Sequence, residues 1–286
     1  MRIYTRIYMQ DSSNSDPKVV QGFGEEWARF TQSELSTSER EEIFHDYFSI
    51  FPWNELPNHS IGADIGCGSG RWAAVVSPRV GKLFCVDASS EALDVAKANL
   101  AGASNVTFHQ TDVGQLPFDN ETLDFAYSLG VLHHVPDTGG AIHSISKTLK
   151  RGGIFLVYLY YAFDNRPWWH RQIWNVSDAI RSFISRLPRY PRHLLCDALA
   201  GFVYWPLARS ATLLARIGHP IENFPLWYYH DKSFYVMRTD ALDRFGTRLE
   251  KRFTRDQITA MLTAAGFRDI SFSNIAPYWC AVARKI

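Results

Sequence analysis

Between residues 60 and 160, short apolar runs alternate with stretches of helical spacing. The runs cover 60–65, 82–86, 106–109, 122–128 and 154–159, and each reads as a strand. Strands alternating with helices predict an α/β fold with a mainly parallel sheet covered on both faces, whose ligands bind outside the carboxyl ends of the strands. Before this region, residues 36–51 read as a helix. Ser36 or Ser38 caps it, and Ile43, Phe44, Tyr47 and Phe48 recur at helical spacing. Residues 1–20 read as a loose leader. After residue 160 the alternation stops. Residues 161–235 carry six prolines between short helical stretches and read as a helical lid inserted after the fifth strand. A closing helix follows over 254–266, capped by Thr254 and stopped by Gly266. Residues 270–274 and 279–284 are the last two strands. The chain thus divides into a leader and helix (1–58), a ligand-binding core (59–160), the lid (161–235) and a completing segment (236–286).

Composition narrows the function. With 46% hydrophobic residues in 286, the chain can bury a substantial core without disulfides or metals. The net charge of +1 supplies no basic field to recruit nucleic acid. Cys67, Cys85, Cys196 and Cys280 are scattered without a C-x-x-C pair, so no metal site is expected and a reducing, cytoplasmic setting fits. No run of eighteen apolar residues is present, and the polar first twenty residues do not read as a signal peptide, so no integral membrane segment is expected. Oligomeric state leaves no mark in the sequence.

Candidate chemistry concentrates at Asp64-Ile65-Gly66-Cys67-Gly68-Ser69-Gly70-Arg71. A strand entering three glycines at alternate positions lets a ligand lie against bare backbone. Asp87, at the end of the second apolar run, is placed to grip ribose hydroxyls. The spacing is G-x-G-x-G, with Arg71 where a dinucleotide fingerprint needs its third glycine. An acidic residue two places before the first glycine suits a cationic amino acid better than a pyrophosphate. The competing reading is a turn that merely joins strand to helix.

Further motifs follow in order: Thr111-Asp112-Val113, Leu116-Pro117-Phe118-Asp119, Leu132-His133-His134-Val135, and Gly152-Gly153 ahead of the fifth strand. This series resembles the class I S-adenosylmethionine-dependent methyltransferases, in the branch whose members act on small molecules. The likeness runs from about Ala63 to Tyr160, with further echoes at Phe23–Trp27 and Phe253–Phe267. It implies a Rossmann-like, doubly wound sheet of seven strands with an antiparallel last strand. It also implies S-adenosyl-L-methionine as cofactor. Gly66, Gly68 and Gly70 would admit its methionine part, and Asp64 would hold the amino group. Asp87 would bind the ribose and Asp112 the adenine amino group, with the Val113 N–H facing the ring. Ser128 and Leu129 would lend backbone near the methionine end. A Pro-Gly-Gly turn common in that branch is Arg151-Gly152-Gly153 here.

Methyl transfer asks for alignment and exclusion of water, and an oxygen nucleophile also benefits from a base. His133 and His134, just past the fourth strand, are the base candidates; packing under the sheet and helix capping are the alternatives. Tyr160 is a candidate to orient substrate, with alternation placing Tyr158 on its face and Tyr161 on the other. His230, Asp231 and Tyr235 read as a tie between lid and core rather than a pocket wall. Arg238, Asp240, Asp243 and Arg244 read as surface ion pairs. The apolar stretch 198–217 reads as the lid's own core, since Pro206 should break an amphipathic helix there; peripheral membrane contact is the alternative. The expected function is methyl transfer to O or N of a small-molecule acceptor, a sugar or glycan-linked intermediate among the options. A non-catalytic cofactor-binding scaffold is the alternative.

Overall fold

The computed structural model describes residues 13–286. Seven strands form one sheet: β1 (Ile61–Ile65), β2 (Lys82–Asp87), β3 (Val106–Gln110), β4 (Leu123–Leu129), β5 (Leu149–Tyr158), β6 (Phe267–Phe272) and β7 (Cys280–Lys285). Their order is β3-β2-β1-β4-β5-β7-β6, and β7 alone runs antiparallel to its neighbours. The first four strands lie where the apolar runs place them, to within a residue; β5 begins five residues earlier than expected, so that Gly152 and Gly153 fall inside it, and β6 begins three residues earlier, straight after the Gly266 turn at φ +81°. The chain leaves β1 to build one side of the sheet and returns at β4 to build the other. The reversal opens a crevice at the carboxyl ends of β1 and β4.

Period-two alternation sends side chains to both faces. Leu83, Cys85, Phe125, Tyr127 and Leu156 pack with α2 (Thr37–Phe48), α3 (Ala73–Val76) and α4 (Ser90–Asn99). Ala63, Ile65, Val86, Phe155 and Val157 pack with α5 (Thr138–Thr148) and α10 (Arg255–Ala264). Each large apolar side chain buried this way contributes roughly 1.5–3 kcal/mol. Ser36 caps α2, and Thr254 and Gln257 form a reciprocal capping box on α10.

Two expectations are corrected. The leader is not loose throughout: Asp16 caps a helix, α1 (Pro17–Arg29), which packs on α4. Residues 1–12 lie outside the described part. The lid helices are also long. After α6 (Trp168–Ile184), α7 (Arg189–Leu199) runs through a π turn (Ala200–Tyr204) directly into α8 (Trp205–Arg216). Pro206 does not break this helix, because the Trp205 N–H reaches back five residues to the Ala200 carbonyl. The widened turn substitutes for the bond that proline cannot make. α6, α7 and the π turn pack on α9 (Phe234–Gly246), whose Met237, Ala241 and Leu242 are buried. The boundary drawn at residue 235 therefore falls just inside α9.

Candidate active site

A cavity of about 130 Å³ lies at the carboxyl ends of β1, β2 and β4. The glycine turn forms its floor. Gly66, Gly68 and Gly70 hold φ of +79°, +53° and +73°, a region that side chains disfavour. At Gly68 a Cβ would also stand 2.8 Å from the Trp27 indole, so only glycine lets α1 close over the turn. Asp87 accepts the Gly68 and Ser89 N–H groups at 2.9 Å each, and burial raises its pKa. Gly66, Gly68, Asp87, Asp112, Val113 and Leu129 line the cavity together.

Asp64, Gly70 and Ser128 do not line it. A Cβ at Gly70 would instead run into Leu100 and Ala96 of the α4 segment, and the Ser128 hydroxyl donates to the Ile65 carbonyl at 2.8 Å. Asp64 is 2% exposed at the end of β1, immediately behind the turn. Burial raises its pKa to about 8, with the nearby Tyr127 hydroxyl offsetting part of the rise. Its Oδ2 has no partner within hydrogen-bond geometry. A carboxylate held so expensively under a ligand turn is a mark of function rather than of packing.

Sequence reasoning missed the roof. Val19, Val20, Phe23 and Trp27 of α1 cover the cavity, and Arg71 and Trp72 close its side. The segment ahead of α1 reaches Asp112 directly: the Asn14 N–H and the Ser13 hydroxyl both donate to its carboxylate at 3.1 Å. The Asn14 side chain also exchanges two hydrogen bonds with the Asp137 backbone, at 2.7 and 2.9 Å. Besides the Phe23–Trp27 likeness, the signal lay in Val19, Phe23 and Trp27 recurring every fourth residue behind Asp16-Pro17.

A second cavity, about 230 Å³, lies beside the first under the lid. Tyr47, Tyr158, Tyr160, Tyr161, Trp174 and Tyr228 are among its walls, and Asp240, Asp243 and Arg244 face it from α9. The surface-pair reading of those three is thus corrected, since the insertion covers α9 on the side they occupy. Arg238 does pair with Asp197, at 3.1 Å. Tyr158, Tyr160 and Tyr161 all share this cavity, because β5 ends at Tyr158 and alternation stops there. Burial raises the pKa of both Asp240 and Asp243 to about 6. His230, Asp231 and Tyr235 stay outside both cavities; Tyr235 accepts the Gln32 N–H at 2.9 Å.

The wall between the cavities holds the candidate catalytic residues. His134 lines the first cavity, and its Nε2 stands 3.8 Å from Asp243 Oδ1 in the second. Tyr160 donates its hydroxyl to Asp243 Oδ2 at 2.5 Å. Trp72 of the first cavity meets Tyr47 of the second, ring centroids 5.4 Å apart. His133 lines neither; it is fully buried, stacked on Tyr160 at 3.8 Å, with both ring nitrogens unpartnered. Burial drives the His133 pKa well below the usual value and takes His134 down to about 4, despite the Leu249 carbonyl 2.5 Å from His134 Nδ1. Both rings are neutral at pH 7, so neither is a strong base.

Residues 63–157 match the family described as methyltransferase domain. The chain is 31% identical over 167 residues to a Bacillus subtilis protein named uncharacterized methyltransferase YcgJ, which covers 58% of this chain and 61% of that one. It is 32% identical over 94 residues to a Staphylococcus aureus demethylmenaquinone methyltransferase, covering 32% of this chain and 39% of that one. The chain thus spans about three-fifths or less of the length of these relatives. A Haemonchus contortus phosphoethanolamine N-methyltransferase, solved with S-adenosylhomocysteine, aligns with 90% of this chain and 43% of its own at 18% identity and a TM-score of 0.48.

Proposed function

We propose that this chain, whose residues 63–157 belong to the methyltransferase-domain family, moves a methyl group from S-adenosyl-L-methionine to a nitrogen or oxygen of a small molecule. The observation that carries the reading is the pair of adjoining cavities, where His134 of the first stands 3.8 Å from Asp243 of the second. One has the glycine floor and carboxylates that suit a nucleoside-bearing amino acid. The other is aromatic and of a size for a small acceptor.

The fit of the donor rests on two features of the first cavity. Asp87 lies at a strand end beside a floor that tolerates no side chain at Gly68, which suits a ribose against bare backbone. The orphaned Asp64 carboxyl, kept largely protonated by burial while the site is empty, would ionise against a cationic amino group placed behind the turn. Asp112 and Val113 face the part of the cavity suited to a base. When bound, the donor supplies a methyl carbon already activated by a sulfonium, which leaves as a neutral thioether.

The chain's own work is then alignment and proton removal. The aromatic rings of the second cavity's walls, with Asp240 and Asp243 balancing Arg166 and Arg244, favour an acceptor whose basic nitrogen can lie over a ring. Asp243, with its pKa near 6, is the group between the cavities best matched to taking a proton at neutral pH. Tyr160 fixes the orientation of that carboxylate, and the neutral His134 ring excludes water beside it.

The test supplies methyl-labelled donor with a panel of amines and matched alcohols across pH 5 to 8. Label on the amines is expected, with kcat/KM rising through about pH 6 as the Asp240–Asp243 pair ionises. Asp243→Asn should lower kcat/KM at least tenfold and remove that limb. Transfer that is indifferent to pH and to Asp243→Asn would overturn the role given to this carboxylate.

A further inference from the structure

The outer faces of the lid helices are apolar. On α6, Ile173, Val176, Ile180 and Phe183 recur at spacings of three, four and three, which is the stripe of a buried helix face. Here that stripe is solvent-exposed, with Val176 63% and Phe183 64% accessible. The continuous α7–α8 helix does the same. Tyr190, Leu194, Phe202, Trp205, Leu213 and Ile217 stand out along it, Phe202 at 84% and Leu194 at 70%. Scattered exposed apolar residues need no explanation, but two stripes on consecutive lid helices do.

The charges on these helices are one-sided. From residue 168 to 217 the exposed charged side chains are Arg171, Arg186, Arg189 and Arg216. The two acidic residues in that span are half-buried and ion-paired, Asp178 with Arg181 and Asp197 with Arg29 and Arg238. An apolar stripe rimmed only by arginine matches an anionic lipid surface, where the rings and aliphatic chains enter the headgroup boundary and the guanidinium groups meet phosphate. A second copy of the chain fits less well, because a two-fold interface would set one all-arginine rim against another. No helix among the described residues is long and apolar enough to cross a membrane, so the contact is lateral.

We propose that α6, α7 and α8 dock this protein on an anionic phospholipid surface. The second cavity opens beside that surface, since Ile173 is both part of the exposed stripe and part of the cavity wall. An amphiphilic acceptor would therefore enter from the lipid side, a corollary that rests on reading this cavity as the acceptor site. Docking itself requires no methyl transfer and is measured without it.

The test is flotation of the full chain with vesicles of phosphatidylcholine alone or with phosphatidylglycerol added. Flotation is expected with the anionic vesicles, together with a blue shift of tryptophan emission from Trp168 and Trp205. Leu194→Glu with Phe202→Glu should abolish it. Arg186→Ser with Arg189→Ser should weaken it about twenty-fivefold, at about fivefold per cation lost near the surface. Both pairs are exposed, so melting temperature and donor affinity should match the parent. Failure of the parent to float, or flotation unaffected by the Glu pair, would overturn the proposal. So would a parent that ignores vesicles but is a dimer made monomeric by the Glu pair, which would assign the face to a second copy.

Discussion

Replacing Asp64 with Asn should make the unliganded protein more stable at neutral pH. The carboxyl is 2% exposed and its pKa is raised to about 8 by burial, against an ordinary value near 4. Below pH 4 it is protonated in both folded and unfolded chains and costs nothing. Between about 4 and 8 the unfolded chain ionises while the folded one resists, so stability is lost as pH rises through that window. Four units at about 1.4 kcal/mol each set an upper bound of about 5.6 kcal/mol, and local relaxation around a buried charge brings the working value to about 2–3 kcal/mol. Asparagine keeps the shape and cannot ionise. Urea unfolding of parent and variant at pH 3, 5.5 and 7.5 reads the difference, which should be near zero at the first pH and widen steadily to the last. Calorimetric titration with S-adenosylhomocysteine should show the opposite effect, with affinity at least tenfold weaker in the variant. An Asp64→Asn variant less stable than the parent at pH 7.5, or equally avid for the ligand, would refute the view that this charge is retained at a cost to folding for the sake of binding.

Two further outcomes follow from the roof of the first cavity. Gly68→Ala places a methyl 2.8 Å from the Trp27 indole at φ +53°, so α1 must lift; a loss of about 2–3 kcal/mol in stability and faster amide exchange through residues 19–27 are expected, measured by denaturation and hydrogen exchange. Asn14→Ala removes the paired bonds to the Asp137 backbone, costing about 1 kcal/mol locally, and should speed dissociation of the bound nucleoside without changing global melting.

The core of the fold was legible because its signals are local. Apolar runs of four to seven residues, the first two ending at the Gly-rich turn and at Asp87, fix strands and their carboxyl ends without reference to anything distant. Asp240, Asp243 and Arg244 were misread because acidic and basic residues at helical spacing look like a solvated face. What buries them is α6 and the segment 224–229, which no local pattern brings to α9. Pro206 misled for a related reason: the rule that proline breaks a helix assumes α spacing, and a π turn at 200–204 evades it. The helix α1 did carry a local signal that the loose-leader reading passed over, since Val19, Phe23 and Trp27 recur every fourth residue behind Asp16-Pro17; what no local pattern shows is that this stripe faces a ligand cavity rather than the sheet.

The central claim is that the crevice above β1 and β4 seats S-adenosyl-L-methionine. Calorimetry of the parent and of Asp87→Asn with S-adenosylhomocysteine, and with NAD as a control, tests it directly. One molecule of the sulfur nucleoside should bind per chain, NAD should not, and the variant should bind about five- to a hundredfold more weakly, the range for stranding a buried hydrogen-bond partner. Binding of NAD alone, or a sulfur nucleoside held equally well without the Asp87 carboxylate, would contradict the account.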